Sequence, residues 1–177
     1  MIEVITGPMF SGKTGELIKR IRAYENAGLK CAVFKPEIKS RNEAEINAIA
    51  THDKTNTHPA IVIKDIFEIL DLSVSYDIIV IDEAQFLSYN LYRIVTYLEI
   101  LNKGVIVCGL DMDYKKDPFE TIGRIMAVAD SVTKLKASCD MCKNEAKYSK
   151  RIAKEDERVL IGGSDKYVAS CLECYLK

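Results

Sequence analysis

A glycine-rich segment that follows a short apolar run constrains the fold of this chain more than any other feature. It matches the pattern G-x-x-x-x-G-K-[ST] and consists of Gly7, Pro8, Met9, Phe10, Ser11, Gly12, Lys13 and Thr14. In a loop of this kind the backbone N–H groups surround phosphate oxygens, because the glycines let the backbone approach an anion closely. The lysine can reach the β- and γ-phosphates, and the threonine hydroxyl can ligate Mg²⁺.

The sequence on either side of this loop is that of a strand and a helix. Ile2–Thr6 is apolar and β-branched. The segment Glu16–Ala27 carries Leu17 and Ile21 on one helical face, and Gly28 then supplies a stop signal. The N-terminus of such a helix points at the phosphates, where its dipole stabilises negative charge. A chance match in a loop is the alternative, but the flanking strand and helix favour a nucleoside triphosphate site.

Apolar runs and helical patterns alternate along most of the chain. The apolar, β-branched runs are Ile2–Thr6, Cys31–Lys35, Ile61–Ile63, Ile78–Ile81 and Val105–Leu110. The segments with helical periodicity are 15–27, 65–71, 88–102 and 119–130. Continuous apolar strands are typical of parallel sheets that helices cover on both faces. The pattern therefore predicts a doubly wound α/β domain with ligands at the carboxyl ends of its strands.

Two segments depart from this alternation. The polar segment 36–58 contains both histidines and is compatible with either an active-site flap or a simple solvated loop. Further along, the sequence changes to paired cysteines and charged residues, so we place a domain boundary near Leu135. The expected domains are 1–135, an ATP-binding α/β domain, and 136–177, a smaller domain that carries the cysteine pairs.

The apolar run Ile78–Ile81 ends in two acids, Asp82 and Glu83. In nucleotide-binding proteins an acid at this point positions Mg²⁺ or its water. Adjacent residues of a strand point to opposite sides, so Asp82 can serve the metal while Glu83 faces a substrate. A carboxylate within hydrogen-bond reach of a hydroxyl can take its proton as the oxygen attacks phosphorus. In an ATPase the same carboxylate would orient water instead.

Aromatic residues follow two of the predicted strands. Phe86 lies shortly after the acids, and Tyr114 and Phe119 follow Val105–Leu110. Because these loops open at the same edge of a parallel sheet, the three rings can form the walls of an apolar slot for a flat base, with Met9 beneath them. Packing of the rings in the core is the alternative.

Four of the six cysteines form two C-x-x-C pairs, the spacing of half-sites for tetrahedral zinc. The pairs are Cys139 with Cys142 and Cys171 with Cys174. Four thiolates leave no open ligand position, so such a site is structural rather than catalytic. A redox dithiol and incidental cysteines are the alternatives. The other two cysteines lie within apolar runs, and we expect them to be buried thiols of the core.

Composition limits the partners and the compartment. A net charge of -1 at pH 7 gives no electrostatic basis for binding nucleic acid or an acidic membrane surface. The sequence has no apolar run of the roughly 20 residues that a membrane span needs, and no signal-peptide pattern. Thiols in a chain without an export signal are typical of a reducing compartment, so we expect a cytoplasmic protein.

Several motifs of the chain, in this order, resemble those of the type II thymidine kinases. The matching segments are the loop Gly7–Thr14, the acidic segment Asp82–Phe86, the segment Gly109–Tyr114, the segment Ile161–Tyr167 and both cysteine pairs. The resemblance implies a P-loop (RecA-like), mostly parallel sheet flanked by helices, with a small C-terminal zinc-ribbon-like domain that carries a lasso loop. The chain departs from the family pattern at Lys39, where many members carry an acid.

The resemblance implies transfer of the γ-phosphoryl group of ATP to the 5′-hydroxyl of thymidine, a salvage route to dTMP. Glu83 would be the base on that hydroxyl, and Thr14 with Asp82 would serve Mg²⁺. The residues expected to bind ATP are Gly7, Pro8, Met9, Phe10, Ser11, Gly12, Lys13, Thr14, Asp82, Glu83, Ala84 and Gln85. The residues expected to bind thymidine are Met9, Phe86, Leu110, Tyr114, Phe119, Ser149, Arg158, Val159, Leu160, Ile161, Gly162 and Tyr167. The family also implies a structural zinc ion, a homotetramer and feedback inhibition by dTTP.

Two other functions stay open on the residues alone. An ATP-driven switch with a zinc module would use Glu83 to orient water. A zinc-dependent nucleic-acid-binding module would use the cysteine region. The chain is short and its charge is balanced rather than basic, which favours the nucleoside kinase.

Overall fold

A computed structural model describes residues 1–38, 47–51, 53–154, 160 and 162–177. Lys39, at which the sequence departs from the family pattern, lies outside these residues. So do three residues that are expected to contact thymidine: Arg158, Val159 and Ile161. The described strands are β1 Ile2–Thr6, β2 Cys31–Pro36, β3 Ala48–Ala50, β4 Thr57–Pro59, β5 Ile61–Ile63, β6 Ile78–Ile81, β7 Gly104–Gly109, β8 Ser131–Lys134, β9 Ala137–Ser138, β10 Glu145–Ala146, β11 Tyr148–Arg151 and β12 Tyr167–Ser170. The described helices are α1 Lys13–Asn26, α2 Glu68–Leu72, α3 Leu91–Ile100, α4 Glu120–Val128 and α5 Leu172–Tyr175, with a 3₁₀ turn at Ala84–Phe86.

Six parallel strands form one sheet in the order β5-β2-β6-β7-β1-β8. The central strand β6 is buried along its whole length, as an apolar strand covered on both faces must be. On one face the sheet packs against Leu17, Ile18 and Ile21 of α1. On the other face it packs against α2, α3 and α4. This arrangement confirms the predicted α/β fold with a parallel sheet flanked by helices, and it places the ends of β6, β7 and β1 side by side.

The sequence pattern does not predict β8, which completes the six-stranded parallel sheet. It lies at the edge of the sheet beside β1, and its residues are mostly exposed and polar, so it lacks the apolar signal of the inner strands. The predicted helix over 119–130 is also shorter in the structure and ends at Val128. Asp130 explains this end, because its carboxylate accepts the backbone N–H of Ile2 and its own N–H donates to the Ile2 carbonyl.

The polar segment 36–58 contains an antiparallel hairpin formed by β3 and β4. Ile49 of β3 is buried against the apolar face of α1. Lys35, at the carboxyl end of β2, is also buried, and its Nζ donates to the carbonyl oxygen of Ala48 at 2.8 Å. These contacts hold the hairpin against the sheet next to the start of α1.

The remaining strands form two small antiparallel sheets, β9 with β10 and β11 with β12, followed by α5. Along the chain, Lys134 is the last residue of the parallel sheet. The division into 1–135 and 136–177 stays a proposal. Among the described residues, none of the helices has the length and apolar character needed to cross a bilayer.

Candidate active site

The glycine-rich loop leaves the carboxyl end of β1 and enters α1 directly. Gly7 and Gly12 have φ values of 143° and 80°, and Phe10 between them has a φ of 63°. A Cβ at Gly7 would lie 2.4 Å from the carbonyl oxygen of Leu135, which is too close for any side chain. The course of the loop therefore requires glycine both for space and for its left-handed backbone.

Lys13, the first residue of α1, lies beneath this loop. Its Nζ donates to the carbonyl oxygens of Gly7 at 3.1 Å and Pro8 at 2.7 Å. Burial lowers the pKa of the Lys13 ammonium, while the charges of Glu83 and Asp82 act in the opposite direction and favour its charged form. Lys13 thus lies at the N-terminus of a 14-residue helix, whose dipole favours a bound anion.

Asp82 and Glu83 follow β6, beside the ends of β7 and β1. Asp82 is buried, and its Oδ1 accepts the backbone N–H of Glu83 at 2.9 Å. Burial, with the neighbouring charge of Glu83, raises the pKa of Asp82 to about 6. Glu83 itself has a φ of 53°, a left-handed conformation that is uncommon for a residue with a Cβ. Backbone strain of this kind is concentrated at functional sites.

Gln85 fixes the carboxylate of Glu83 relative to the loop after β7. Its Nε2 donates to Glu83 Oε2 at 2.7 Å, and its Oε1 accepts the backbone N–H of Leu110 at 3.0 Å. A backbone N–H can only donate, so the orientation of the Gln85 amide is determined. Gly109 lies against this amide, because a Cβ there would be 2.6 Å from Gln85 Oε1. The last residue of β7 therefore has to be small for Gln85 to hold Glu83.

A cavity of about 370 Å³ opens where β1, β6 and β7 end, a size that suits a small-molecule site. The predicted site residues that line it are Met9, Phe10, Ser11, Gly12, Lys13, Thr14, Asp82, Glu83, Gln85, Phe86, Leu110, Tyr114, Phe119, Ser149, Leu160, Gly162 and Tyr167. Gly7, Pro8 and Ala84 are predicted site residues that are not among its lining. The glycine-rich loop, both acids and the three predicted aromatic rings thus meet at one cavity, while their individual roles stay predictions.

Several described residues line the cavity without having been predicted from the sequence. They are Gly15, Ala50, Thr51, Gly109, Met112, Asp113 and Gly163. The glycines, Met112 and Asp113 lie next to or inside segments that the sequence motifs already identify. Ala50 and Thr51 carry no comparable signal, because they reach the cavity only through the hairpin of β3 and β4.

The C-terminal region contacts two of the loops that line the cavity. Ser149 on β11 accepts the backbone N–H of Met9 at 3.0 Å through its hydroxyl oxygen. Tyr175 of α5 donates its hydroxyl to the carbonyl oxygen of Tyr114. These two bonds hold the C-terminal region against the glycine-rich loop on one side and against the loop after β7 on the other.

The four cysteine sulfurs converge on one point beside these strands. Cys139, Cys142, Cys171 and Cys174 have Sγ atoms that all lie within 4.8 Å of one another. Cys142 Sγ and Cys171 Sγ are 3.6 Å apart, close to the ~3.8 Å edge of a tetrahedron whose metal–sulfur bonds are about 2.3 Å. A hydrogen bond from the backbone of Cys171 lowers the pKa of the Cys139 thiol, whereas the hydrogen bond with the Cys142 side chain raises the pKa of Cys174, as sulfurs this close to one another should do. The cluster therefore fits a four-coordinate metal ion.

Comparison with known proteins agrees with this geometry. A family model described as thymidine kinase matches residues 1–175. The chain belongs to the thymidine kinase family. It is 43% identical over 178 residues to a thymidine kinase of Metamycoplasma arthritidis (strain 158L3-1), covering 99% of this chain and 90% of that protein. It is 40% identical over 181 residues to thymidine kinase 1 of Dictyostelium discoideum, covering 98% of this chain and 77% of that protein.

A third relative is similar to this chain over nearly its whole length. A thymidine kinase of Rhodothermus sp. (strain ITI 518) is 41% identical over 174 residues, covering 98% of this chain and 80% of that protein. As a member of the thymidine kinase family, the chain is a kinase, and the family match spans the glycine-rich loop, the acids after β6 and both cysteine pairs. The family predicted from the sequence motifs is thereby confirmed.

Proposed function

We propose that the chain transfers the γ-phosphoryl group of ATP to the 5′-hydroxyl of thymidine and so forms dTMP for DNA precursor synthesis. The observation that carries this proposal is the single cavity that joins a phosphate-binding loop, a carboxylate and three aromatic side chains. Membership of the thymidine kinase family supports thymidine as the nucleoside.

In this proposal Lys13 and the N–H groups at the start of α1 hold the phosphates of ATP. The 5′-oxygen of thymidine attacks the γ-phosphorus, the bond from that phosphorus to the bridging oxygen of ADP breaks, and Glu83 takes the hydroxyl proton. Glu83 suits this role because Gln85 donates to one of its oxygens, which fixes the carboxylate. Thr14 and Asp82 would hold a Mg²⁺ ion, which would neutralise charge on the phosphates.

The base would lie among Phe86, Tyr114 and Phe119, whose rings line the cavity. Flat apolar walls suit a pyrimidine ring, and they keep water from the reacting phosphate, so that transfer is favoured over hydrolysis. Leu160 and Gly162 line the same cavity and would belong to a lasso that covers thymidine. Arg158, Val159 and Ile161 remain expected members of that segment.

The proposal includes the finer features that the family resemblance implies. Zinc is the metal that best suits four thiolates at the observed sulfur distances, and it would stabilise the C-terminal region. All six cysteines are free thiols, which suits a reducing, cytoplasmic compartment. Assembly as a homotetramer and feedback inhibition by dTTP complete the proposal.

The test is transfer of label from ATP that is radiolabelled at the γ-phosphoryl group. Thymidine, deoxycytidine, deoxyadenosine and deoxyguanosine are supplied in turn with Mg²⁺, and the products are separated by chromatography. Labelled dTMP, with little label on the other three nucleosides, is the expected result. Equal labelling of all four, or labelling of a purine nucleoside alone, would contradict thymidine as the substrate.

A further inference from the structure

Arg151, the last residue of β11, contacts two aromatic residues of the cavity wall. Its guanidinium carbon lies 3.7 Å from the centroid of the Tyr114 ring and 5.2 Å from that of Tyr167. Both tyrosines line the cavity, whereas Arg151 is not among its described lining residues. A cation at these distances from a ring is attracted to the ring face, and more strongly where water is excluded.

A directed chain of hydrogen bonds runs from the same arginine. Arg151 Nη2 donates to the hydroxyl oxygen of Tyr167 at 2.6 Å. A guanidinium can only donate, so the Tyr167 hydroxyl uses a lone pair for Arg151 and keeps its own proton for another acceptor. That acceptor is the carbonyl oxygen of Leu160, at 2.9 Å. The arginine thus fixes the direction of the bond that holds Leu160.

The three residues that Arg151 holds come from separate parts of the chain. Tyr114 lies in the loop after β7, Tyr167 begins β12, and Leu160 precedes that strand. The backbones of Tyr114 and Tyr167 are already held, by Tyr175 and by the pairing of β11 with β12. Arg151 adds a common partner for the two side chains, whose ordering on ligand binding would otherwise reduce affinity.

We propose that Arg151 is a positioning residue that sets the affinity for the nucleoside by holding Tyr114 and the Tyr167–Leu160 pair in place before the ligand binds. The inference rests on the proposed function, since it takes the nucleoside as the ligand of this wall. Arginine is required because a planar guanidinium can stack on a ring and donate sideways at the same time, which a lysine ammonium cannot do. Lys13 and Glu83, which the proposed function assigns to the phosphates and to the hydroxyl proton, are not among the residues that these contacts join.

The first test compares Arg151→Met with the wild type in steady-state kinetics. We expect the KM for thymidine to rise by about 10- to 100-fold, the combined effect of a lost cation–π contact and a lost charged hydrogen bond. The kcat and the KM for ATP should stay within about threefold, because the side-chain contacts that carry this inference are with Tyr114 and Tyr167, not with the groups assigned to ATP or to the proton. Arg151→Lys should recover only part of the loss.

Lys147→Met is the matched control. Lys147 is an exposed cation near the start of β11 whose Nζ lies 5.2 Å from the centroid of Tyr148, a ring outside the cavity lining. Removing it also deletes a cation–π contact and one positive charge, yet the KM for thymidine should stay unchanged. An equal rise in KM for both variants would attribute the effect to charge and overturn the proposal.

Hydrogen exchange measures, without any substrate, whether Arg151 orders the segment before β12. The backbone N–H of Tyr167 donates to the carbonyl oxygen of Gly163, so its exchange reports on the segment before β12. In Arg151→Met we expect faster exchange at Tyr167 with no change in α1. Unchanged exchange together with an unchanged KM would overturn the inference and leave the kinase intact. A wild type that neither binds nor phosphorylates thymidine would instead refute the proposed function, and this inference with it.

Discussion

Gly109→Ala tests whether the geometry around Gln85 controls the position of Glu83. The new methyl carbon would lie 2.6 Å from Gln85 Oε1 and 2.8 Å from Ile122 Cδ1, both inside normal contact distance. Ile122 is fully buried in the core, so the amide of Gln85 is the group more able to move. Its displacement would disturb both of its hydrogen bonds, one to the Leu110 N–H and one to the Glu83 carboxylate.

The magnitude follows from these contacts. An added methyl in a packed core costs about 1–3 kcal/mol in the free energy of unfolding. For a chain of this length each kcal/mol lowers the Tm by about 2–4 °C, so we expect a decrease of about 2–12 °C. A displacement of Glu83 of about 1 Å can lower the rate by about 100-fold. We therefore expect kcat to fall by about 10- to 100-fold while the KM for ATP changes little.

The assay combines thermal unfolding with steady-state kinetics, and Gly123→Ala is the matched control. Gly123 lies in α4, and a Cβ there would meet no atom within 4 Å. Alanine in the interior of a helix is more stable than glycine by about 0.5–1 kcal/mol, so this variant should gain stability and keep its kcat. A Gly109→Ala variant with wild-type kcat and Tm would refute the role assigned to the close packing at Gln85.

Two further predictions concern the acid and the cysteines. Glu83→Gln should lower kcat by about 10²–10⁴, because the amide cannot take the hydroxyl proton, while ATP binding measured by calorimetry is retained; a fully active variant would exclude Glu83 as the base. Cys142→Ser should lose bound zinc by metal analysis and destabilise the C-terminal strands, because three thiolates no longer close the ligand shell. Retention of one zinc ion per chain in that variant would refute the four-thiolate site.

The parts of the site that could be predicted from the sequence are those with a local signature. The glycine-rich loop and the acids after β6 each combine an apolar strand with a short motif, and the rule that parallel strands end at one edge brings them together. The same rule predicts that Tyr114 and Phe119 lie near the acids, and both residues line the cavity.

What the sequence could not predict depends on contacts between distant residues. β8 is polar and lies at an edge, so only its pairing with β1 identifies it as a strand. Thr51 reaches the cavity because buried Lys35 holds the β3–β4 hairpin, and no periodic pattern indicates such a contact. The bonds from Gln85 to Leu110 and from Arg151 to Tyr167 likewise join residues that are remote in sequence and have no spacing rule.

Release of ADP from ATP and Mg²⁺, measured with and without thymidine, tests the central claim most directly. A kinase whose carboxylate Glu83 activates the hydroxyl of a nucleoside should release ADP rapidly only when thymidine is present, with one dTMP formed for each ADP. The same rate of ADP release without any nucleoside would contradict the claim, because Glu83 would then be orienting water and the chain would be an ATPase.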